Sequence, residues 1–263
     1  MKRAFFALLA LLLVDLVMAQ EYKDFGRERL NSSPRHADWV DLNAGGRPIK
    51  AFVVYPERKE KAPVVIVVQE IFGLTDWLRS LCDELAENGV IAIAPDLFNG
   101  QKFEDPDGAR KATSALKDDE VKADLDAVAG YGLNKIPSAN GTLAICGFCW
   151  GGGWAFKYAN LNPKLKAVYS FYGATPDDAE KVLKIPCPVF GFYGDLDQRI
   201  TASVPKAEAL MKGAGKKYEP VVYPGAGHGF MRSGDPANPN VREGDKSAHD
   251  QAWTRWKDLL KQL

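Results

Sequence analysis

Cysteine and histidine are scarce in this chain of 263 residues, which contains four cysteines and three histidines. Four cysteines are too few for a disulfide-stapled scaffold, and the 46% hydrophobic composition suits a single α/β domain with a sizeable core. The 34 basic and 34 acidic side chains balance and are well mixed, so no basic stripe indicates nucleic-acid binding. The sequence also contains no internal repeat and no low-complexity tract.

Long apolar runs are missing as well, apart from one near the N-terminus. Two basic residues precede an apolar run at residues 4–14, and Val17-Met18-Ala19 follows as a small-residue cleavage pattern. This arrangement predicts a signal peptide at residues 1–19 and a periplasmic or secreted protein. Asp15 interrupts the run and argues against a permanent membrane anchor, so we expect no membrane association after cleavage.

Strand and helix patterns alternate along the rest of the chain. Apolar and β-branched runs predict strands at residues 39–42, 49–55, 64–68, 90–94, 142–146, 165–169, 188–193 and 218–223. Helical spacing predicts helices near residues 75–88, 108–117, 119–133, 153–159, 177–183, 202–212 and 248–260. This alternation predicts a doubly wound, mostly parallel sheet with helices on both faces and an antiparallel start. We expect one domain at residues 37–263, preceded by an irregular, loosely attached lead-in at residues 20–36.

The segment Gly147-Phe148-Cys149-Trp150-Gly151-Gly152 lies between a predicted strand and a predicted helix. Strand, G-x-C-x-G and helix in this order are typical of a nucleophile elbow, with cysteine where serine is commoner. Glycines two positions before and after the central residue leave room for the strained turn. The positive N-terminus of the following helix favours a thiolate. Cys149 is therefore a candidate nucleophile, and the alternative is a small buried side chain in a glycine-rich turn.

Other chemically active side chains also follow strand ends, where ligands bind in sheets of this kind. His228 lies between glycines after the last predicted strand and is the candidate base. Asp195 and Asp197 both follow the preceding predicted strand. Either of them is the candidate acid, because the sequence of the turn does not favour one over the other. Glu70 directly follows a buried strand, so we expect a nearly buried carboxylate close to Cys149. The order nucleophile, acid, histidine is that of α/β-hydrolases.

Two further interpretations concern the neighbours of these residues. The backbone N–H groups of Ile71 and Trp150 are the natural donors for an oxyanion hole. Cys146 and Cys149 form a C-x-x-C pair, so a thiol redox protein is an alternative. Redox pairs usually expose the first cysteine at a helix N-terminus, whereas Cys146 ends a predicted strand and should be buried.

Five segments together resemble the dienelactone hydrolase family of α/β-hydrolases. They are Gln69-Glu70-Ile71-Phe72-Gly73, Pro95-Asp96-Leu97-Phe98, Gly147-Phe148-Cys149-Trp150-Gly151-Gly152, Gly194-x-x-Asp197 and Gly227-His228-Gly229-Phe230. The resemblance implies an α/β-hydrolase fold and hydrolysis of a small ester or lactone by Cys149, His228 and Asp197. It also implies that Glu70 interacts with the cysteine and helps to form its thiolate when substrate binds.

The resemblance extends in part to substrate recognition. Two arginines grip the carboxylate of dienelactone in the best-known members, and Arg232, four positions after His228, matches one of them. The second would lie just after Phe98, where this chain has Asn99-Gly100-Gln101-Lys102. Lys102 is the candidate substitute, although a lysine does not reproduce the two-pronged hydrogen bonding of a guanidinium.

The sequence therefore predicts a carboxylic ester hydrolase acting on a small ester or lactone, without a metal or an organic cofactor. We expect a monomer that does not bind nucleic acid. A non-catalytic binding protein on the same scaffold is the alternative of another class.

Overall fold

The strands of this computed structural model, which describes residues 24–263, closely follow the predicted pattern. They are β1 (Ala37–Ala44), β2 (Arg47–Val54), β3 (Ala62–Val68), β4 (Ile91–Pro95), β5 (Ala139–Phe148), β6 (Leu165–Phe171), β7 (Val189–Gly194) and β8 (Tyr218–Tyr223). They form a sheet in the order β1-β2-β4-β3-β5-β6-β7-β8. β2 pairs antiparallel with β1 and β4, and the pairs from β4 to β8 are parallel. The predicted signal peptide, residues 1–19, lies outside the described residues.

Helices cover both faces of this sheet. They are α1 (Arg27–Ser32), α2 (Asp76–Glu87), α3 (Pro106–Ala115), α4 (Asp118–Asn134), α5 (Trp150–Ala159), α6 (Gln198–Thr201), α7 (Val204–Gly213), α8 (Phe230–Ser233) and α9 (Glu243–Leu260). Apolar side chains of α2 and α9 pack on one face, and those of α4, α5 and α7 pack on the other. The prediction of a doubly wound, mostly parallel sheet with helices on both faces is confirmed.

The middle of the sheet explains why its strands read as continuous apolar runs. Every residue of β3 is buried. Val65 and Val67 belong to the core beneath α2 and α9, whereas Ile66 and Val68 belong to the core beneath α4 and α5. Because successive side chains of a strand point to opposite faces, a strand covered on both faces must be apolar throughout.

The lead-in is more ordered than predicted, because α1 lies within it and is held by charge. Arg35, just after α1, forms a two-pronged ion pair with the buried Asp83 of α2, with N···O distances of 2.8 and 2.6 Å. Arg29 on α1 contacts Glu84 of α2 at 2.5 Å. No residue of α1 is buried, so hydrophobic spacing carried no signal for this helix, and the prediction of an irregular, loosely attached segment is wrong here.

A helix was also predicted at residues 177–183, and this prediction is wrong. The segment forms short turns, in which the N–H of Val182 donates to the carbonyl oxygen of Ala179 over 3.1 Å. The side chain of Asn160 fixes these turns by donating to the carbonyl oxygen of Glu180 over 3.0 Å and accepting from the N–H of Lys184 over 2.7 Å. The polar segment was read as a helix from the sequence, but tertiary hydrogen bonds with Asn160 hold its backbone in turns.

Among residues 24–263, no helix combines the length and apolar character needed to span a membrane.

Candidate active site

Cys149 occupies the sharp turn between β5 and α5, with φ 56° and ψ −117°. Its N–H donates to the carbonyl oxygen of Phe171 over 3.0 Å. A Cβ atom at Gly147 would lie 1.9 Å from the carbonyl oxygen of Gly151, and one at Gly151 would lie 2.4 Å from that of Val68. Because no side chain fits at such distances, glycine at both positions allows β5, the turn and α5 to pack together.

The turn places Cys149 at the positive end of α5. The cysteine is the N-cap residue of this helix and is partly exposed. Trp150 is the first helical residue, and the N–H of that position has no acceptor within its own helix. The helix dipole and the N–H group of Trp150 favour a negative charge on or near the sulfur.

His228 lies in contact with both Cys149 and Asp197. Its Nε2 atom is 3.0 Å from Sγ of Cys149, and its Nδ1 atom is 2.5 Å from Oδ2 of Asp197. Asp197 is buried just after β7, and His228 lies on the turn after β8. The Oδ1 atom of Asp195 is buried and has no hydrogen-bond partner among the described residues. The structure therefore places Asp197 against the imidazole, a choice that the turn sequence alone left open.

The surroundings of His228 favour its protonated form. Burial alone would lower the pKa of His228 by disfavouring the imidazolium. The hydrogen bonds with Asp197 and Cys149, together with the negative charges of these two groups, outweigh burial and raise the pKa to about 10. An imidazolium held between a carboxylate and a sulfur stabilises a thiolate on that sulfur.

Glu70 is buried and held by two hydrogen bonds. Its Oε2 atom accepts from Nε of Arg232 over 2.8 Å, and its Oε1 atom accepts from the hydroxyl of Tyr172 over 3.2 Å. The guanidinium carbon of Arg232 also lies 5.3 Å from the ring centroid of Phe72. A buried carboxylate requires such partners, because its desolvation is otherwise unfavourable.

The register of the sheet places Glu70 beside the elbow. Val68 of β3 pairs with Gly147 of β5, and Glu70 and Cys149 each lie two residues further along. A Cβ atom added to Gly229 would lie 3.8 Å from Oε1 of Glu70, so the carboxylate also borders the turn that carries His228.

Ile71 and Trp150 follow the two central strand ends, and both side chains are partly buried. The backbone after Glu70 is hydrogen-bonded to a distant segment of the chain, since the N–H of Phe103 donates to the carbonyl oxygen of Phe72 over 3.1 Å. The N–H groups of Ile71 and Trp150 thus belong to backbone segments that border Glu70 and Cys149.

Lys102, the candidate substrate-binding residue, forms ion pairs that the sequence did not predict. Its Nζ atom contacts carboxylate oxygens of Asp76 at 2.5 Å and Asp24 at 3.2 Å. Asp76 begins α2, and Asp24 accepts hydrogen bonds from the N–H groups of Asp76 and Trp77. The lysine therefore fixes the start of α2, where its ammonium is held by Asp76 and Asp24.

Tyr172 is a site residue that sequence reasoning missed. It is fully buried, has the rare positive φ of 39°, and donates its hydroxyl hydrogen bond to Glu70. The available signal was its position directly after β6, at the edge where the other site residues follow their strands. Next to Phe171, a tyrosine at this position is not distinguishable by sequence from an ordinary core residue.

The four cysteines are free. Cys146 is fully buried, and burial raises its pKa well above the ordinary value. A fully buried thiol with a raised pKa is a poor redox partner for Cys149, so the geometry disfavours a C-x-x-C redox centre. In the part of the chain that the structure describes, no group of three or more histidine, cysteine or acidic side chains could hold a metal ion.

The mostly parallel sheet, the sharp cysteine turn and the adjacent histidine and acid together define the α/β-hydrolase class of fold. The model of the dienelactone hydrolase family matches residues 49–263. The chain therefore belongs to the dienelactone hydrolase family and is a hydrolase, as the sequence predicted.

Relatives from distant microbes support this assignment. A protein of Escherichia coli O157:H7, provisionally named carboxymethylenebutenolidase, is 35% identical over 244 residues, covering 86% of this chain and 87% of the relative. A protein of Saccharolobus solfataricus with the same provisional name is 30% identical, covering 85% and 98%. A crystal structure from Klebsiella pneumoniae, provisionally named dienelactone hydrolase, is 30% identical with a TM-score of 0.77, covering 87% of this chain and 99% of that one.

Proposed function

We propose that this protein cleaves a small ester or lactone with Cys149 as nucleophile, His228 as base and Asp197 as the acid that orients His228. The observation that carries the proposal is the pair of contacts on one imidazole, 3.0 Å to Sγ of Cys149 and 2.5 Å to Oδ2 of Asp197. A nucleophile, a base and an orienting acid in this sequence of contacts can perform acyl transfer.

In the first half of the reaction, Sγ of Cys149 bonds to the substrate carbonyl carbon, and the thiol proton resides on Nε2 of His228. The carbonyl oxygen becomes an oxyanion, which the N–H groups of Ile71 and Trp150 stabilise. The carbon–oxygen bond of the ester then breaks, and His228 donates its proton to the leaving oxygen. An acyl group remains on the sulfur.

In the second half, water attacks the thioester carbon while Nε2 of His228 accepts a proton from it. The carbon–sulfur bond breaks, the carboxylic acid leaves, and Cys149 and His228 return to their initial state. Both halves use only groups of this chain together with water, and the proposal includes no metal and no organic cofactor.

Glu70 and Arg232 complete the proposed site. Glu70 assists formation of the thiolate when substrate binds, and Arg232 binds a substrate carboxylate. The support is the ion pair between them, at 2.8 Å, beside the turn that carries His228. An anionic substrate group that approaches Arg232 would compete with Glu70 for the guanidinium.

The test is hydrolysis of p-nitrophenyl acetate and of a panel of esters and lactones, with and without a carboxylate, by wild type and Cys149→Ala. We expect the variant to lose about 10³-fold or more in kcat, because the nucleophile is absent. Cys187→Ala is the matched control, since that buried cysteine lies at the entrance to β7 and should retain wild-type rates. Equal rates for wild type and Cys149→Ala on every substrate would refute the proposal.

The same experiment separates the alternatives. A binding protein would show no hydrolysis and would react with iodoacetamide at Cys149 no faster than free cysteine does. A redox protein would reduce insulin in a manner that Cys146→Ser abolishes.

We further propose that the mature protein is periplasmic or secreted and works as a monomer without membrane association. The composition of residues 1–19 supports export. N-terminal sequencing of the exported protein and its elution volume in size-exclusion chromatography test these two points.

A further inference from the structure

Tyr172 combines a strained backbone with complete burial. Its φ of 39° lies in the left-handed region, where a bulky residue is rarely found, and its side chain has no exposed surface. Strain of this kind persists only where the surrounding structure enforces it, and it concentrates at functional sites. Here the N–H of Tyr172 donates to the carbonyl oxygen of Phe192 on the neighbouring strand β7 over 2.8 Å.

The strained backbone directs one side chain at two groups of the site. The hydroxyl donates to Oε1 of Glu70 over 3.2 Å. The ring meets the imidazole of His228 edge to face, with centroids 5.2 Å apart at 66°. It also packs against Phe230, with centroids 5.4 Å apart, directly after the turn that carries His228.

Tyr172 thus contacts both arms of the site. One arm is Glu70 with Arg232, and the other is His228 with Cys149 and Asp197. Burial raises the pKa of Tyr172 well above the ordinary value, and the charge of Glu70 adds to this rise. The hydroxyl therefore remains a hydrogen-bond donor across the working pH range.

We propose that Tyr172 is a positioning residue, which holds the Glu70 carboxylate and the His228 ring in the arrangement that activates Cys149. It does not touch substrate, because it is fully buried. This inference rests on the proposed function, since it assigns a role within that reaction.

The test variant is Tyr172→Phe, which keeps the ring and removes the hydroxyl. Loss of one hydrogen bond to a carboxylate should lower kcat about tenfold. KM should change less than about twofold, because the substrate-contacting surface is intact. A loss of kcat without a matching change in KM is a result that a merely structural role of Tyr172 would not produce.

Tyr193→Phe is the matched control. Tyr193 is also fully buried at a strand end, but its hydroxyl pairs with that of Tyr218 at 2.8 Å, away from the site. Wild-type kcat and KM in Tyr193→Phe, with a lower kcat in Tyr172→Phe alone, support the inference. Equal losses in the two variants with equal losses of Tm, or an unchanged Tyr172→Phe, overturn it.

A double-mutant cycle shows whether the hydroxyl acts through Glu70. If it does, Tyr172→Phe should change kcat less than about twofold in a Glu70→Gln background. A full tenfold loss in that background would contradict the inference. The rate of Cys149 alkylation by iodoacetamide against pH, measured in wild type and Tyr172→Phe, gives a readout independent of hydrolysis. If no ester is cleaved, the proposed function fails, while a shifted alkylation profile still supports the positioning role.

Discussion

The contact between Asp197 and His228 gives the sharpest prediction for a single residue. Asp197→Asn keeps the size of the side chain but removes the charge that orients and stabilises the imidazolium, so kcat should fall about 10³–10⁴-fold. Asp195→Asn is the matched control two positions away. Its carboxylate does not contact His228, and steady-state kinetics should show less than about a threefold change. Comparable losses in the two variants would contradict the assignment.

Stability against pH provides a second readout of the same variant. The folded-state pKa of His228, about 10, lies above the ~6.5 of an unfolded histidine. Protonated His228 therefore stabilises the fold fully below about pH 6.5, and this contribution disappears as the pH rises toward 10. Urea unfolding at several pH values should show this decline in wild type and a weaker one in Asp197→Asn.

For single residues, the sequence predicted which positions belong to the site better than it predicted which side chains contact each other. Cys149, His228 and Glu70 stood out because each follows a strand end. The contact of Asp197 depends on the three-dimensional path of one short turn, which local spacing does not determine. Lys102 was expected near substrate, but Asp76 and Asp24 bind its ammonium. Tyr172 was missed because the same residue type also fills ordinary cores.

The elbow is the element whose geometry depends most on glycine. A Cβ atom at Gly151 would lie 2.4 Å from the carbonyl oxygens of Val68 and Gln69. Gly151→Ala should therefore push α5 away from β3, destabilise the protein by about 1–3 kcal/mol and lower kcat. Thermal unfolding and p-nitrophenyl acetate hydrolysis measure the two effects.

Gly153→Ala, in the same helix, is the control for this change. A Cβ atom there would meet its nearest neighbour, in Ala174, at 3.5 Å, an ordinary van der Waals contact. Because alanine favours helices over glycine, Gly153→Ala should be neutral or stabilising by up to about 1 kcal/mol. If Gly151→Ala were as stable as Gly153→Ala, the result would contradict the close approach of α5 to β3.

Elements with strong apolar periodicity were predictable, and those held by polar contacts were not. β3 reads as a strand because it is covered on both faces, so its side chains must all be apolar. α1 has no buried residue and is held by arginine–carboxylate pairs with α2, which no local pattern reveals. Residues 177–183 were predicted as a polar helix, yet hydrogen bonds with Asn160 hold them in turns.

For the whole molecule, the N-terminal segment should contribute to stability rather than to chemistry. Burial would raise the pKa of Asp83, but hydrogen bonds from Arg35 and Ser33 outweigh it and hold the pKa below its ordinary value. Arg35→Ala leaves Asp83 without its two-pronged partner, so the free energy of unfolding should fall by about 2–3 kcal/mol at neutral pH. Chemical denaturation measures this loss, and kcat of the folded variant should be unchanged.

Arg110→Ala removes an exposed ion pair, with Asp107 at 2.7 Å, and serves as the control. Pairs at the surface contribute little, so the change should stay below about 0.5 kcal/mol. The effect of Arg35→Ala should shrink as the pH falls below about 4 and disappear once the pH is below the lowered folded-state pKa of Asp83, because a protonated Asp83 no longer needs the guanidinium. A loss that persists at low pH would contradict an electrostatic origin.

The doubly wound, mostly parallel sheet of the whole molecule was predictable because strand and helix patterns alternate along the chain. Family resemblance added the reaction class through motifs spread along the chain. The substrate was not predictable, because we expect it to be selected by the segments around residues 99–107 and 233–245. These segments have no apolar periodicity from which their conformation could be inferred.

The central claim is that the acyl group of the substrate is transferred to the sulfur of Cys149. Mass spectrometry of wild-type protein, quenched in acid during turnover of p-nitrophenyl acetate and then digested, tests this most directly. We predict one acetyl group on the peptide that contains Cys149, its absence in Cys149→Ala, and wild-type acetylation in Cys187→Ala. Hydrolysis with no acetyl group on Cys149, or acetylation of another residue at the rate of turnover, would contradict the account.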